Sequence, residues 1–170
     1  MSRGLKLLPL ALVLTALPAA AQEQAPSAPC TVNQQFETLG VNGAAESFVP
    51  RPVPSFGHDV TQTPYSERSV SRYLYQLDLS GSDEHPFANA AKVEVILTWN
   101  NDSDLDLYVY DGLDRRLAES TNLNPVDGTG ERVVVPGVRH CSDLRVDVVN
   151  YLGLPTSTAL LELNVREPNP

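Results

Sequence analysis

The feature that most constrains this chain is a period-two alternation of apolar and polar residues. It begins near Ser69 and persists almost to the C-terminal end. "YLYQLDL" puts Tyr73, Tyr75, Leu77 and Leu79 on one side, and "VEVILTW" does the same with Val93, Val95, Leu97 and Trp99. "DLDLYVY" aligns Leu105, Leu107 and Val109, and "ERVVVPG" carries Val133 to Val135. "DLRVDVVNY" aligns Leu144, Val146 and Val148, and "ALLELNV" aligns Ala159, Leu161, Leu163 and Val165. Alternation over five to eight residues marks strands with one buried face. The separators, such as "SGSDEHP", "NNDS", "DGLD" and "NLNPVDGTG", are built from turn-forming residues. No segment carries a 3.6-residue period. The expected fold is therefore all-β: an antiparallel two-sheet sandwich, jelly-roll-like, of about 7–8 strands.

The first residues obey different rules. Arg3 and Lys6 precede the apolar run Leu7 to Leu17, and small residues follow at Ala19 and Ala21. This is the layout of a secretory signal peptide, residues 1–21, cut near Ala21. The run falls short of the ~20 apolar residues that span a bilayer, so membrane insertion is not expected. A secreted or periplasmic location is. Losing Arg3 and Lys6 takes the formal charge from −9 to −11. Such a chain lacks the basic footprint of a nucleic-acid binder and is repelled by anionic membranes. Its two cysteines, Cys30 and Cys141, are an even count in an exported chain, so a disulfide is the default reading over two free thiols.

Residues 22–67 form a Pro-, Ser-, Gln- and Thr-rich leader, and "FVPRPVPSFGHDVTQTP" alone holds four prolines. Proline removes a backbone donor and fixes φ, so an extended, PPII-like leader is expected, with room for one short strand in "CTVNQQFETLG". The sandwich domain is then residues 68–167.

One stretch, "TWNNDSDLDLYVYDG", invites a chemical reading. Asp102, Asp104 and Asp106 have the odd spacing of a calcium loop. The helix-loop-helix calcium motif then needs glycine at its sixth position and glutamate at its twelfth. Those positions are Leu107 and Leu113, so that motif fails. Extended backbone instead puts Asp104, Asp106, Tyr108 and Tyr110 together on the face opposite Leu105, Leu107 and Val109. Carboxylates two residues apart on a strand can share a cation, with loop oxygens from Asn100, Asn101 or Asp102. Asp and Asn equally serve as turn caps, and both readings stand. Tyr108 and Tyr110 suit a sugar or peptide ligand if their face is solvated, and are packing residues if it is covered.

The run "SDLDLYVYDGLDRRLAES", residues 103–120, resembles the central signature of the bacterial pre-peptidase C-terminal domain family. That signature is a small residue, Asp-Leu-Asp-Leu-Tyr, an apolar residue, an aromatic and Asp, then a glycine turn. "SRYLYQLDLSG", "LRVDVVNYLG" and "ALLELNV" resemble its flanking strands, so the likeness covers roughly residues 66–166. It implies a secreted jelly-roll-like module that accompanies exported enzymes. Some relatives bind calcium, and some bind collagen or other extracellular polymers. Asp104, Asp106 and Asp111 match the signature acids, which makes Asp102, Asp104, Asp106 and Asp111 the expected calcium set. The sequence departs from the family at "HCSDLRV", where relatives carry Gly-Thr-Tyr, and no protease domain is expected within these 170 residues.

Other constellations are weaker. His58, His85 and His140 show no metal-ligand spacing, and neither a G-x-S-x-G elbow nor an H-E-x-x-H helix is present. The expectation is a non-catalytic binding module whose partner is an extracellular or envelope protein or a polysaccharide. A purely structural or envelope-assembly protein and a hydrolase using the acidic loop are the alternatives.

Overall fold

The computed structural model describes residues 28–31, 34–51, 69–80, 90–99, 103–121, 130–152 and 158–167. Residues 1–21, where a signal peptide is expected, residues 52–67 of the leader, and Asn100, Asn101 and Asp102 lie outside them. The described residues contain nine strands and no helix. They are β1 (Glu37–Leu39), β2 (Ala44–Phe48), β3 (Val70–Leu77), β4 (Ala90–Trp99), β5 (Asp104–Asp111), β6 (Arg116–Ser120), β7 (Glu131–Arg139), β8 (Asp143–Leu152) and β9 (Ala159–Arg166).

One sheet runs β1-β3-β8-β5-β6 and the other β2-β9-β4-β7. The chain pairs from the outside inwards: β2 with β9, β3 with β8, β4 with β7, β5 with β6. Successive pairs fall in opposite sheets, which is a long hairpin wrapped into a jelly roll. Among the described residues, only the β1–β3 pair is parallel. The sandwich expected from alternation is the fold observed.

Alternation decides which side each strand buries. Leu105, Leu107 and Val109 of β5 meet Val93, Val95 and Leu97 of β4 between the sheets, and all six are fully buried. Leu144, Val146 and Val148 of β8 and Leu161 and Leu163 of β9 complete the same core. Each such side chain removed from water contributes roughly 1.5–3 kcal/mol before entropy is counted. Trp99 packs against the core, and its indole N–H donates to the Ser103 carbonyl at 2.7 Å, closing the connection from β4 to β5.

Two parts of the fold differ from expectation. The leader is not PPII-like throughout, because β1 and β2 pair into the sheets and add a strand to each. Leu39 is fully buried, and Phe48 packs edge-on against Tyr73 with ring centroids 5.3 Å apart. The sandwich therefore begins before residue 68. β2 is only five residues long and carries Ala44, Glu46 and Phe48 on its inward side, too short and polar to display a period. β6 also went unread, since "RLAES" is an edge strand with mostly exposed side chains.

The disulfide expected between Cys30 and Cys141 is formed, with Cα atoms 5.3 Å apart across a sequence separation of 111. It ties residue 30 to the β7–β8 turn, where Cys141 adopts φ 62°. That turn docks on the end of β3, with Cys141 N–H donating to the Leu77 carbonyl at 2.8 Å.

Gly130 leads into β7 at φ 73°, and a Cβ there would overlap the Leu97 carbonyl oxygen. Gly130→Ala is expected to destabilise the fold by about 1–2 kcal/mol in urea unfolding, through strain at positive φ and a pushed β4 backbone.

Candidate functional site

β5 carries the acidic residues because its alternation is strict. With Leu105, Leu107 and Val109 turned inwards, Asp104, Asp106, Tyr108 and Tyr110 must face away from the core. That face is not solvated, however. Asp104, Asp106 and Tyr108 are 7, 6 and 3 % exposed. Val70, Tyr108 and Val149 form a second apolar cluster there, with Tyr110 packed against it. The cross-strand register explains the grouping, since Asp106 lies opposite Val149, which in turn lies opposite Val70.

The two carboxylates are held differently. Tyr108 donates its phenol O–H to Asp106 Oδ2 at 3.2 Å. Asp104 Oδ1 is buried without a hydrogen-bond partner. Burial removes the water that would stabilise each charge. Asp106 is pushed up to about 6, first by burial and then by the Asp104 charge, with further repulsion from Glu131 and Glu119; the Tyr108 hydrogen bond partly offsets this. Asp104 is also raised, by burial and by Glu131.

Glu131 is the residue that sequence reasoning missed. It opens β7, is fully buried and accepts a hydrogen bond from the Ser120 hydroxyl. Its parity matches that of Val133 and Val135, so its inward direction was readable. Its approach to β5 from the opposite sheet was not.

Asp111 does not join this group. It ends β5, seven strand steps or roughly 23 Å from Asp104. Its carboxylate accepts from the Leu113 and Arg115 backbone N–H groups, each at 2.9 Å, and from Arg115 Nε at 2.7 Å. These bonds, led by the Arg115 backbone N–H, hold it below the usual carboxylate range. It is a turn cap, so the expected four-residue calcium set is not assembled as one site. Asp102 lies outside the described residues.

The tyrosines do not form an open platform. Tyr108 is enclosed in the second cluster. The half-buried Tyr110 ring has the Arg145 guanidinium 4.1 Å above its centroid. Arg145 also pairs with Asp114 and lies 3.3 Å from Asp147 Oδ2, while Arg72 Nε donates to Asp147 Oδ1 at 2.9 Å. Of the two expectations for this pair, packing describes Tyr108.

His58 and His85 lie outside the described residues. His140 sits in the β7–β8 turn beside the disulfide, accepting from Leu79 N–H at Nδ1 (3.0 Å) and donating from Nε2 to the Ala28 carbonyl (2.7 Å). Among the described residues, Cys30, His140 and Cys141 form the group of three potential metal ligands that lie close together. Both sulfurs are consumed by the disulfide. Cys30 Sγ lies 3.6 and 3.7 Å from the two ring nitrogens.

A hard cation needs oxygen ligands and wants carboxylates whose repulsion it can relieve. Asp104 and Asp106 fit that requirement, with one oxygen lacking any bond; Asp111 does not. The same pair can instead retain a proton. No protein-family model matches the sequence, and no curated protein matches it.

Proposed function

We propose that this chain is an exported, non-catalytic β-sandwich module that binds or stabilises a partner outside the cytoplasm, with Asp104 and Asp106 holding a calcium-type cation. The observation that carries the cation is the buried Asp104 Oδ1 without a hydrogen-bond partner, beside an Asp106 whose charge is disfavoured first by burial and then by repulsion from Asp104. Calcium supplies a positive charge that removes this repulsion and satisfies the open oxygen. Asp104 and Asp106 would bind it, and Tyr108 would fix the Asp106 carboxylate through its O–H.

Export is supported by the signal-peptide layout of residues 1–21 and by a disulfide closed over most of the chain. The resemblance to the pre-peptidase C-terminal domain family points to the same class of accessory module. A non-catalytic role fits because Val70, Tyr108 and Val149 fill the face beside the two carboxylates.

Calorimetric titration of the chelator-treated protein with calcium tests the reading. One site is expected, lost in Asp104→Asn. Free calcium at about 100 times the dissociation constant should raise the unfolding free energy by about 2.7 kcal/mol. No binding heat together with an unchanged unfolding midpoint would contradict it.

A further inference from the structure

The outer face of the second sheet has a character opposite to the rest of the molecule. Alternation buries Val93, Val95, Val133, Val135, Leu161 and Leu163 and turns their neighbours outwards. Lys92, Arg132, Arg139 and Arg166 therefore share this face, and its acids are Glu94 and Glu162. This is a cationic face on a chain of net charge −9.

Its centre is built. Glu94, in the middle of β4, is 4 % exposed on a face that is otherwise open. Arg132 reaches it from β7, with Nε 2.7 Å from Oε1, and Arg166 reaches it from β9, with Nε 3.1 Å from Oε2. Their hydrogen bonds, Arg132 first, hold the Glu94 carboxyl below its ordinary range. One buried carboxylate thus pins two guanidiniums whose side chains stay 66 and 59 % exposed. The pinned pair carries one excess positive charge and presents donors already oriented for an incoming carboxylate, so little side-chain entropy remains to be lost.

Apolar side chains interleave with the cations. Val134 and Leu160 are 43 and 37 % exposed on the same face, and Ile96 lies between Arg132 and Glu162 in register. A polyanionic sugar would use the cations and leave these apolar groups idle. A protein segment bearing both acidic and apolar side chains matches both.

We propose that this face docks an acidic polypeptide partner, whose carboxylates meet the Arg132–Glu94–Arg166 fork and whose apolar side chains cover Val134, Ile96 and Leu160. The proposal rests on the binding-module reading above and names the surface and partner chemistry it lacks. It does not depend on the cation.

Fluorescence polarisation with a labelled peptide of repeated Glu-Ser-Leu-Ser units tests it, because an extended chain of that repeat shows Glu and Leu on one face. Polygalacturonate serves as the polysaccharide competitor, and every titration is run in chelator and in calcium. Saturable peptide binding is expected. Arg139→Glu and Val134→Ser, which leave the fork intact, should each weaken it about tenfold with unchanged circular dichroism. Arg166→Gln should weaken it further. No saturable peptide binding, or polygalacturonate bound more tightly and indifferent to Val134→Ser, overturns the proposal. Calcium binding without peptide binding removes this face and leaves the cation site standing. Peptide binding without calcium binding does the reverse.

Discussion

Cys141→Ser is expected to lower the free energy of unfolding by about 4–5 kcal/mol, the loop-closure entropy of a crosslink spanning on the order of a hundred residues. The crosslink has a sequence separation of 111, so the denatured chain loses much freedom when it is present. Folded-state contacts add to the effect. Residues 28–31 precede the first strand, and their attachments include the Cys30–Cys141 bond, the Ala28 carbonyl on His140 and the Cys30 backbone N–H on the Asp78 carboxylate. Without the bond, Cys30 Sγ is no longer held beside the His140 ring, and the hydrogen bond from His140 to Ala28 must hold a segment released from its crosslink. Serine matches cysteine in size and accepts φ 62° no worse, so the change isolates the crosslink. Urea unfolding of the oxidised protein, the reduced protein and the variant measures this directly. The last two should coincide, well below the first. Equal midpoints for all three would show that the disulfide constrains nothing that matters.

Asp106→Asn is expected to do the opposite and stabilise the chelator-treated protein by about 3 kcal/mol at pH 7, because burial, followed by the Asp104 charge, pushes the Asp106 carboxyl up to about 6. An acid whose folded pKa is raised contributes its stability in the protonated form. That contribution is complete below the unfolded value of about 4 and is lost as pH climbs through about 6. The metal-free protein should therefore gain stability from this site as pH falls from 7 towards 4. The variant, having no charge to bury, should lack that part of the slope. Asparagine keeps an oxygen for the Tyr108 phenol, so the 3.2 Å hydrogen bond need not be lost. Urea midpoints at pH 4 and pH 7 should show the two proteins close together at the lower pH and separated at the higher. A variant less stable at both would mean that Asp106 is held by favourable partners instead.

What the sequence disclosed follows from where the information is local. The strict alternation in Leu105, Leu107 and Val109 places them in the core, and the same rule places Asp104, Asp106, Tyr108 and Tyr110 on the other side. That these four meet Val70 and Val149 instead of water depends on the β3–β8–β5 register, which no single strand encodes. Asp111 looked like a ligand because its neighbours were acidic; its carboxylate is consumed by the turn at Leu113 and Arg115 a few residues away. Glu131 shows the converse case, a charge whose direction was readable but whose partners lie across the sandwich. β2 and β6 hid because edge strands bury few side chains and need carry no pattern. The fork at Glu94 was invisible for a related reason, since Arg132, Glu94 and Arg166 come from three strands.

The proposed cation site at Asp104 and Asp106 differs from a merely strained acidic pair in its response to calcium. Thermal unfolding of wild type and Asp106→Asn at pH 7, each in chelator and in millimolar calcium, tests it most directly. A crossing is expected: the variant melts higher in chelator, and the wild type gains on calcium while the variant does not. Parallel shifts in both proteins, or none in either, would contradict it.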